Sequence, residues 1–535
     1  MKIVSMFAGH DANLAFGDTE KGEYHVIEIE RLAKHRYFRL HVDNNENDIN
    51  SILHNCSLIA NDLFKMNGPW DVFSVPMDGG LIDINLIKRS FDCKRVESHN
   101  HHMCHAAGAY YQSPFFKGET RDKRALIISY DGGGNDGHFN VFSGHPEYRI
   151  SPLINIPSDF GGGYLLLGSS CSEVGKNSRH QLALSGKLMG LCAYGETNEK
   201  DVSAMRPFFI DKDYKKLSES LSYDLKNVDA PWDDPLNNYI FEGQDSFNHA
   251  ANTQKAFEEQ FLEIFDQIIN EYPIPNNVIL TGGCALNVLL NQRIKDSYPD
   301  LNLFVPPDPS DCGLALGCLF STEPPKEHVN IAYKGVPILD DATRFKTYLF
   351  KGRDVQPLDL DYVCKLLKEG KIIGVCRGDS EVGPRALGNR SIICDPSIKD
   401  MKDILNAKVK FREWYRPFAP FCLKSEASTY FESRDFENME FMGYAPRVKE
   451  EYKDKLPSIT HADGSARLQT VTEESHKFFY DLLQTYSKYS DTHVLLNTSF
   501  NIRGLPILTK IDDALDVLDN TQMDALIIND QFIEK

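Results

Sequence analysis

Two hydrophobic rhythms alternate along this chain. Short apolar runs at residues 3–8 and 13–16, separated by Gly9-His10-Asp11, predict two strands joined by a tight turn. Residues 51–66 carry apolar positions at helical spacing, and 72–75 resume as a strand. Residues 125–130 predict a buried strand that ends on Asp131 and a glycine run. An amphipathic helix over 254–271 leads into a strand at 277–280 and the break Thr281-Gly282-Gly283. This interleaving predicts an α/β fold. After a Gly- and Pro-bearing stretch at 335–356, a second unit begins, with a helix at 361–369 and strands at 372–376 and 493–496. The division falls near 350, giving units 1–350 and 351–535. Residues 195–250 are polar and weakly periodic, which predicts an insertion or surface helices, and no internal repeat is visible.

Composition narrows the class. The 535 residues are 41% hydrophobic and 25% charged, so there is enough apolar material for packed cores and disorder is excluded. The 58 basic against 77 acidic residues leave a net charge of −19, which counts against general attraction to nucleic-acid backbones or anionic lipid. A small-molecule enzyme is favoured. No apolar run reaches the ~18 residues of a membrane span, so no membrane partner is expected. The first apolar run meets His10 and Asp11 too soon for a secretory leader. The 12 cysteines include no C-x-x-C pair, which predicts reduced thiols in a cytoplasmic protein.

Three groups of residues carry candidate chemistry. In His101-His102-Met-Cys-His105, positions i and i+4 share a helix face, so His101 and His105 can present imidazoles to one ion while His102 points about 100° away. Asp131 closes an apolar strand and Asp311 precedes a small-residue run. Two imidazoles with carboxylates suit Fe(II), Mn or Zn, and the missing Glu of H-E-x-x-H counts against a metalloprotease. Glycine-rich loops at 132–134, 161–163 and 281–287, which include Gly132, Gly133, Gly282, Gly283 and Asn287, suggest a nucleotide. The third group is cationic. Arg377, Arg385, Arg390, Lys410, Arg412, Arg416 and Arg467 cluster among Pro and Gly in an otherwise acidic chain, followed by Asn497-Thr-Ser499-Phe-Asn501. Rigid Gly-Pro and Arg-Pro contexts fit a fixed phosphate site better than a solvated face.

In order along the chain, Gly9-His-Asp-Ala, His101-His-x-x-His-Ala, Gly186-Lys187-Leu-Met-Gly-Leu-x-x-Tyr-Gly195, Gly282-Gly-Cys-Ala-Leu-Asn287, Val382-Gly-Pro-Arg-Ala-Leu-Gly-x-Arg-Ser391, Lys410-x-Arg-Glu-x-x-Arg-Pro-Phe-Ala-Pro420, Asp463-Gly-x-Ala-Arg-x-Gln-Thr470 and Asn497-Thr-Ser-Phe-Asn501 resemble the O-carbamoyltransferases of nodulation-factor and antibiotic biosynthesis. The resemblance implies an N-terminal domain of the actin/Hsp70-like ATPase type and a C-terminal YrdC-like α/β domain. It implies that carbamoyl phosphate and ATP form carbamoyl-adenylate in the second domain and that the first passes the carbamoyl group to an acceptor hydroxyl. On that basis Lys410, Arg416, Arg467 and Ser499 surround carbamoyl phosphate and nucleotide, with Arg377, Arg385, Arg390, Arg412 and Asn501 as helpers. His101, His105, Asp131 and Asp311 hold a divalent metal, Fe(II) by expectation, with Mg(II) or Mn(II) as alternatives. His10, beside Asp11, steers the acceptor proton. Gly132, Gly133, Lys187, Gly282, Gly283 and Asn287 line the nucleotide. A closed route between the two sites is expected because the intermediate hydrolyses.

The acceptor is left open among small molecules, sugars and a hydroxymethylated base in DNA. A kinase of the same fold and a non-enzymatic ATP-binding module are the competing readings. The kinase has no use for His101 and His105, and the module leaves the segment from Lys410 to Ser499 without work.

Overall fold

The computed structural model describes residues 1–40, 46–78, 87, 90–116, 124–176, 178, 180–221, 240–272, 276–339 and 353–535. The N-terminal part holds two five-stranded sheets. β1 (Lys2–Phe7), β2 (Asn13–Asp18), β3 (Glu23–Glu28), β4 (Trp70–Pro76) and β5 (Cys93–His99) lie in the order β3-β2-β1-β4-β5. β6 (Ala125–Tyr130), β7 (Phe139–His145), β8 (Arg149–Asn155), β9 (Asn277–Thr281) and β10 (Asn302–Phe304) lie in the order β8-β7-β6-β9-β10. In each sheet the first three strands in sequence pair antiparallel and the fourth and fifth add in parallel. The same connectivity is therefore used twice. This is the duplicated sheet of the actin/Hsp70-like class, and the repeat is one of topology that the residues themselves do not display.

Two buried helices hold the sheets together. The helix His101–Gln112 packs on β6 and β9, the helix Leu314–Thr322 packs on β1, β2 and β4, and the two helices pack on each other. Their approach is set by glycine. A Cβ on Gly317 would stand 2.0 Å from the Cys104 carbonyl oxygen, a backbone atom that cannot swing away. Gly317→Ala is therefore expected to destabilise the protein by about 1–3 kcal/mol through overpacking, measured as a lowered urea midpoint. It should also disturb the helix that carries His101 and His105.

The second unit is built on one mixed sheet. In spatial order its strands are Gln356–Pro357, Gln531–Glu534, Ala525–Ile528, Ile373–Cys376, Arg390–Cys394, Val494–Ser499, Ala419–Leu423 and Gln469–Val471. The chain is thus α/β throughout, as its patterning predicts. The division near 350 lies outside the described residues. Ahead of it, Pro337 bridges to Asp379 and Leu339 to Lys510.

Predicted elements differ from the structure mainly at their ends. The helix placed at 51–66 runs Glu46–Asp62, and Phe64 and Met66 are buried by the loop that follows. The helix placed at 254–271 begins at Gln244, because its first turns bury polar groups such as Ser246, His249 and Asn252, which an apolar period does not detect. The stretch 195–250 holds the short helices Glu199–Met205 and Tyr214–Ser218, with 222–239 outside the described residues. All 12 cysteines are free thiols. Among the described residues no helix is long and apolar enough to cross a membrane.

Candidate active site

Parallel strands carry their loops to one edge, and open α/β sheets place chemistry at the carboxyl ends of those strands. Gly9, His10 and Asp11 follow β1, His101 follows β5, Asp131 follows β6, Gly282 and Gly283 follow β9, and Asp311 follows β10. Five separate strand ends thus converge.

The convergence gathers His101, His105, Asp131 and Asp311, whose ligand atoms all lie within 4.8 Å of one another. The two imidazole Nε2 atoms are 3.1 Å apart. His105 Nε2 is 3.3 Å from Asp131 Oδ2 and 3.3 Å from Asp311 Oδ1, and His101 Nε2 is 3.6 Å from Asp311 Oδ1. Asp78 Oδ2 stands 2.9 Å from His101 Nδ1, on the far side of the ring, which aims Nε2 inward. Such a carboxylate behind a ligating imidazole is a usual second support of a metal site. His102 points elsewhere, to Ser129 Oγ at 2.7 Å and the Gly137 carbonyl at 3.0 Å. Its burial, with His101 and His105 adding to it, holds it down to about 3. Burial also opposes charge on His105, but Asp131 and Asp311 carry it up to about 9. Two buried, facing imidazoles with the buried Asp311 and the half-buried Asp131 fit a divalent cation of intermediate softness.

His10 lies at the edge of this cluster. Its Nε2 is 3.4 Å from Asp311 Oδ2 and its Nδ1 3.2 Å from Asp11 Oδ2. Burial opposes its protonation, and Asp311 leads the groups that raise it to about 9. Asp131 also braces the glycine loops, accepting from Gly132 N–H and Gly283 N–H, each at 2.6 Å. Gly282 has φ +88, and a Cβ there would lie 2.2 Å from the Tyr130 carbonyl oxygen, so glycine is required for the turn itself.

The second unit presents a contrasting site. Lys410 follows a one-turn π-helix, Leu405–Val409, and is buried. Its Nζ donates to Ser499 O, Ser499 Oγ and Asn501 Oδ1, three neutral oxygens. Arg412 is held by Asn406 Oδ1 at 2.8 Å and the Pro417 carbonyl at 3.1 Å. Glu413 is the carboxylate of the group. It lies 2.9 Å from Lys187 Nζ and 3.7 Å from both Arg416 and Arg503. Arg467 Nε is buried without a hydrogen-bond partner. Burial and then mutual repulsion push Lys410, Arg412 and Arg467 well below their ordinary values and Arg385 down to about 10. Among the described residues, so many cations around Glu413 make a site suited to a negatively charged ligand.

Both sites open into one cavity of about 1210 Å³. His10, His101, Asp131 and Asp311 line one end, and Arg385, Lys410, Arg412, Arg416, Arg467, Ser499 and Asn501 line the other. A second cavity of about 1130 Å³ lies between the Gln244–Glu271 helix and residues 428–449. There Lys255 is paired with Glu199 and Arg293 with Glu258, while Arg447 donates to the Asp463 carbonyl.

A family model described as carbamoyltransferase N-terminus matches residues 9–319, and one described as carbamoyltransferase C-terminus matches 364–535. The chain belongs to the carbamoyltransferase family. It is 30% identical over 489 residues to nodulation protein NolNO of Sinorhizobium fredii, covering 86% of this chain and 68% of that relative. With nodulation protein NolO of Bradyrhizobium diazoefficiens it shares 31% identity over 454 residues, 82% of this chain and 79% of the relative. A crystal structure of full-length HypF in the phosphate- and nucleotide-bound form overlaps at TM-score 0.34 and 14% identity, over 60% of this chain and 46% of that one.

Most of the expected site residues of this carbamoyltransferase reach the cavity. Gly132, Gly133, Lys187, Gly283, Asn287 and Asp11 line it, although Asn287 also caps its helix and bonds Gln254. Arg377 and Arg390 correct the expectation, because neither reaches it. Arg390 is fully buried, and its guanidinium donates to the carbonyls of Arg377, Asn389, Val336 and Gly378, pinning the loop. Arg377 lies 4.4 Å over the Phe478 ring and pairs with Asp530 at 2.9 Å. Arg377→Ala is therefore expected to leave turnover within about twofold of the parent, as for a surface position, measured by product formation at saturating substrate. Gly282 shapes its turn without lining the cavity.

Sequence reasoning missed Asp78, Glu413, Arg503 and the segment 34–40. Glu413 sits inside the Lys410–Pro420 motif and Arg503 just beyond Asn501, so both were within reach. Lys34-His-Arg36-Tyr-Phe-Arg39 also carries a visible basic signal. Asp78 carries none, since only the fold brings it to His101.

Proposed function

We propose that this carbamoyltransferase is an ATP-dependent O-carbamoyltransferase that makes and uses carbamoyl-adenylate at the two ends of one cavity. The observation that carries this reading is the 1210 Å³ space lined both by a His/Asp cluster and by a group of buried cations that share Glu413. In the cationic end, water cleaves carbamoyl phosphate to carbamate and phosphate. A carbamate oxygen then attacks the α-phosphorus of ATP, the bond to the β-phosphate breaks, and pyrophosphate leaves. Arg385, Arg416 and Arg467 orient the phosphates, and Lys410 fixes the Ser499–Asn501 turn against them. Carbamate alone is a poor electrophile, and joining it to AMP provides a leaving group.

At the other end the acceptor hydroxyl attacks the carbamoyl carbon and AMP leaves. His10 is placed to guide the hydroxyl proton, with Asp11 holding its other nitrogen. His101, His105, Asp131 and Asp311 fit a divalent cation, Fe(II) by family expectation, which when bound supplies positive charge beside the adenylate phosphate. The glycine loops leave room for nucleotide against Gly132, Gly133 and Gly283. The acceptor is a hydroxyl-bearing small molecule or sugar. A hydroxymethylated nucleobase is the alternative to include in a screen.

Incubation with carbamoyl phosphate and labelled ATP tests the reaction. AMP and pyrophosphate must appear only when carbamoyl phosphate is present, and ADP would indicate a kinase or a simple ATPase instead. Candidate alcohols are then screened by mass for the gain of one carbamoyl group.

A further inference from the structure

A strap to which the proposed reaction assigns no role lines the same cavity. Residues 34–40 leave the short helix Ile29–Ala33 and are pinned to the turn between β1 and β2. Ala12 N–H donates to the Phe38 carbonyl and Leu40 N–H to the Ala8 carbonyl, both at 3.0 Å. The strap therefore rides on the turn that carries His10 and Asp11. Its root is anchored to the second unit. Arg31 donates to the Glu381 and Gly383 carbonyls at 2.7 Å each, and Lys34 Nζ pairs with Asp513 at 2.6 Å.

Tyr37, at the middle of the strap, has φ +58. A bulky side chain seldom occupies that left-handed region, so the surroundings must hold it. They do: Tyr37 N–H donates to Glu30 Oε2 at 2.8 Å, and Arg36 Nη2 donates to the Tyr37 hydroxyl at 3.0 Å. The ring stacks on His180, with centroids 4.6 Å apart and planes at 25°. Both rings line the cavity. Charge interactions reach both ways from here. After burial, the groups acting on Tyr37 include Arg416 at the cationic end and Asp11 at the other, and those acting on His180 include His10.

We infer that the stacked Tyr37–His180 pair is the waist of the cavity, through which carbamoyl-adenylate passes and which keeps bulk water from it. This rests on the two-station reading proposed above, in which carbamoyl-adenylate is made at one end of the cavity and used at the other. The two rings are positioning residues, with Arg36 and Glu30 holding Tyr37 in place. Their loss admits water to the intermediate. The water oxygen bonds to the carbamoyl carbon, the bond from that carbon to the phosphate oxygen breaks, and AMP leaves with carbamic acid, which decomposes to carbon dioxide and ammonia. ATP is then consumed without carbamoylating anything.

The test needs no acceptor. Labelled pyrophosphate exchanging into ATP reports the cationic end, and AMP released without acceptor reports leakage, both with carbamoyl phosphate present. Tyr37→Ala and His180→Ala should keep exchange within about twofold of the parent while AMP release rises about fivefold or more, a change of roughly 1 kcal/mol in barrier. Tyr37→Phe retains the ring and should stay within about twofold on both measures. Retained exchange also shows that a variant is folded, and His180→Ala carries the test if Tyr37→Ala does not fold. The inference is overturned if leakage is unchanged with exchange intact, if Tyr37→Phe leaks as much as Tyr37→Ala, or if exchange falls in step with AMP release. Absence of carbamoyl-phosphate-dependent exchange in the parent enzyme would instead overturn the two-station reading itself.

Discussion

On the proposed reaction, replacing Lys410 with alanine is expected to lower carbamoyl-phosphate-dependent pyrophosphate release by about 10²–10³-fold, the scale seen when one preorganised donor is removed from a site of developing negative charge. The expectation follows from what surrounds the ammonium. It is buried, directed at Ser499 O, Ser499 Oγ and Asn501 Oδ1, and set among Arg412 and Arg416, with no ion-pair partner among the described residues. Alanine removes a charge that the proposed phosphate site requires and also frees the 499–501 turn. Lys410→Arg retains the charge but not the compact fit, and should recover only part of the loss. The measurement is initial pyrophosphate release with saturating ATP. Unchanged release in Lys410→Ala would remove the cationic end from the reaction.

The opposite result is expected at the other end. His105→Ala should abolish acceptor carbamoylation while leaving pyrophosphate exchange within about twofold, because the proposed reaction assigns its two half-reactions to separate residues. His105 is the best probe of the cluster. Its Nε2 faces Asp131, Asp311 and His101 together, whereas Asp131 also holds Gly132 and Gly283 and its removal would disturb the loops. Affinity for a divalent cation should fall by at least about 100-fold, more than for loss of an outer support such as Asp78. Metal content after dialysis reads this directly. Chelation of the parent enzyme should reproduce the split, with transfer lost and exchange retained. Loss of both half-reactions in His105→Ala would mean that the ends are not separable.

Much of the site was legible because its chemistry is local in sequence. The i, i+4 spacing of His101 and His105 places two imidazoles on one helix face whatever the rest of the chain does, and His102 turns away for the same reason. The Lys410–Arg416 segment announces itself by cations set among Pro and aromatic residues in an acidic protein. Arg377 and Arg390 looked alike to that reasoning and were misplaced. An arginine that binds phosphate and one that ties backbone carbonyls have the same side chain, and burial among carbonyl groups is not written in a motif. Domain repetition was equally hidden. Two sheets can share strand order and direction through backbone pairing alone, with their side chains free to diverge.

By itself the sequence determined the α/β character, the strands that end in candidate ligands, the imidazole pair and the cationic segment, since each depends on the period or spacing of nearby residues. Only the tertiary structure decided that five strand ends meet at one cluster, that Glu413 stands almost alone among the cations, and that both sites share a cavity lined also by the stacked Tyr37 and His180. Those facts join residues up to several hundred positions apart. Packing of the sheets and helices sets such distances, and no local pattern records them.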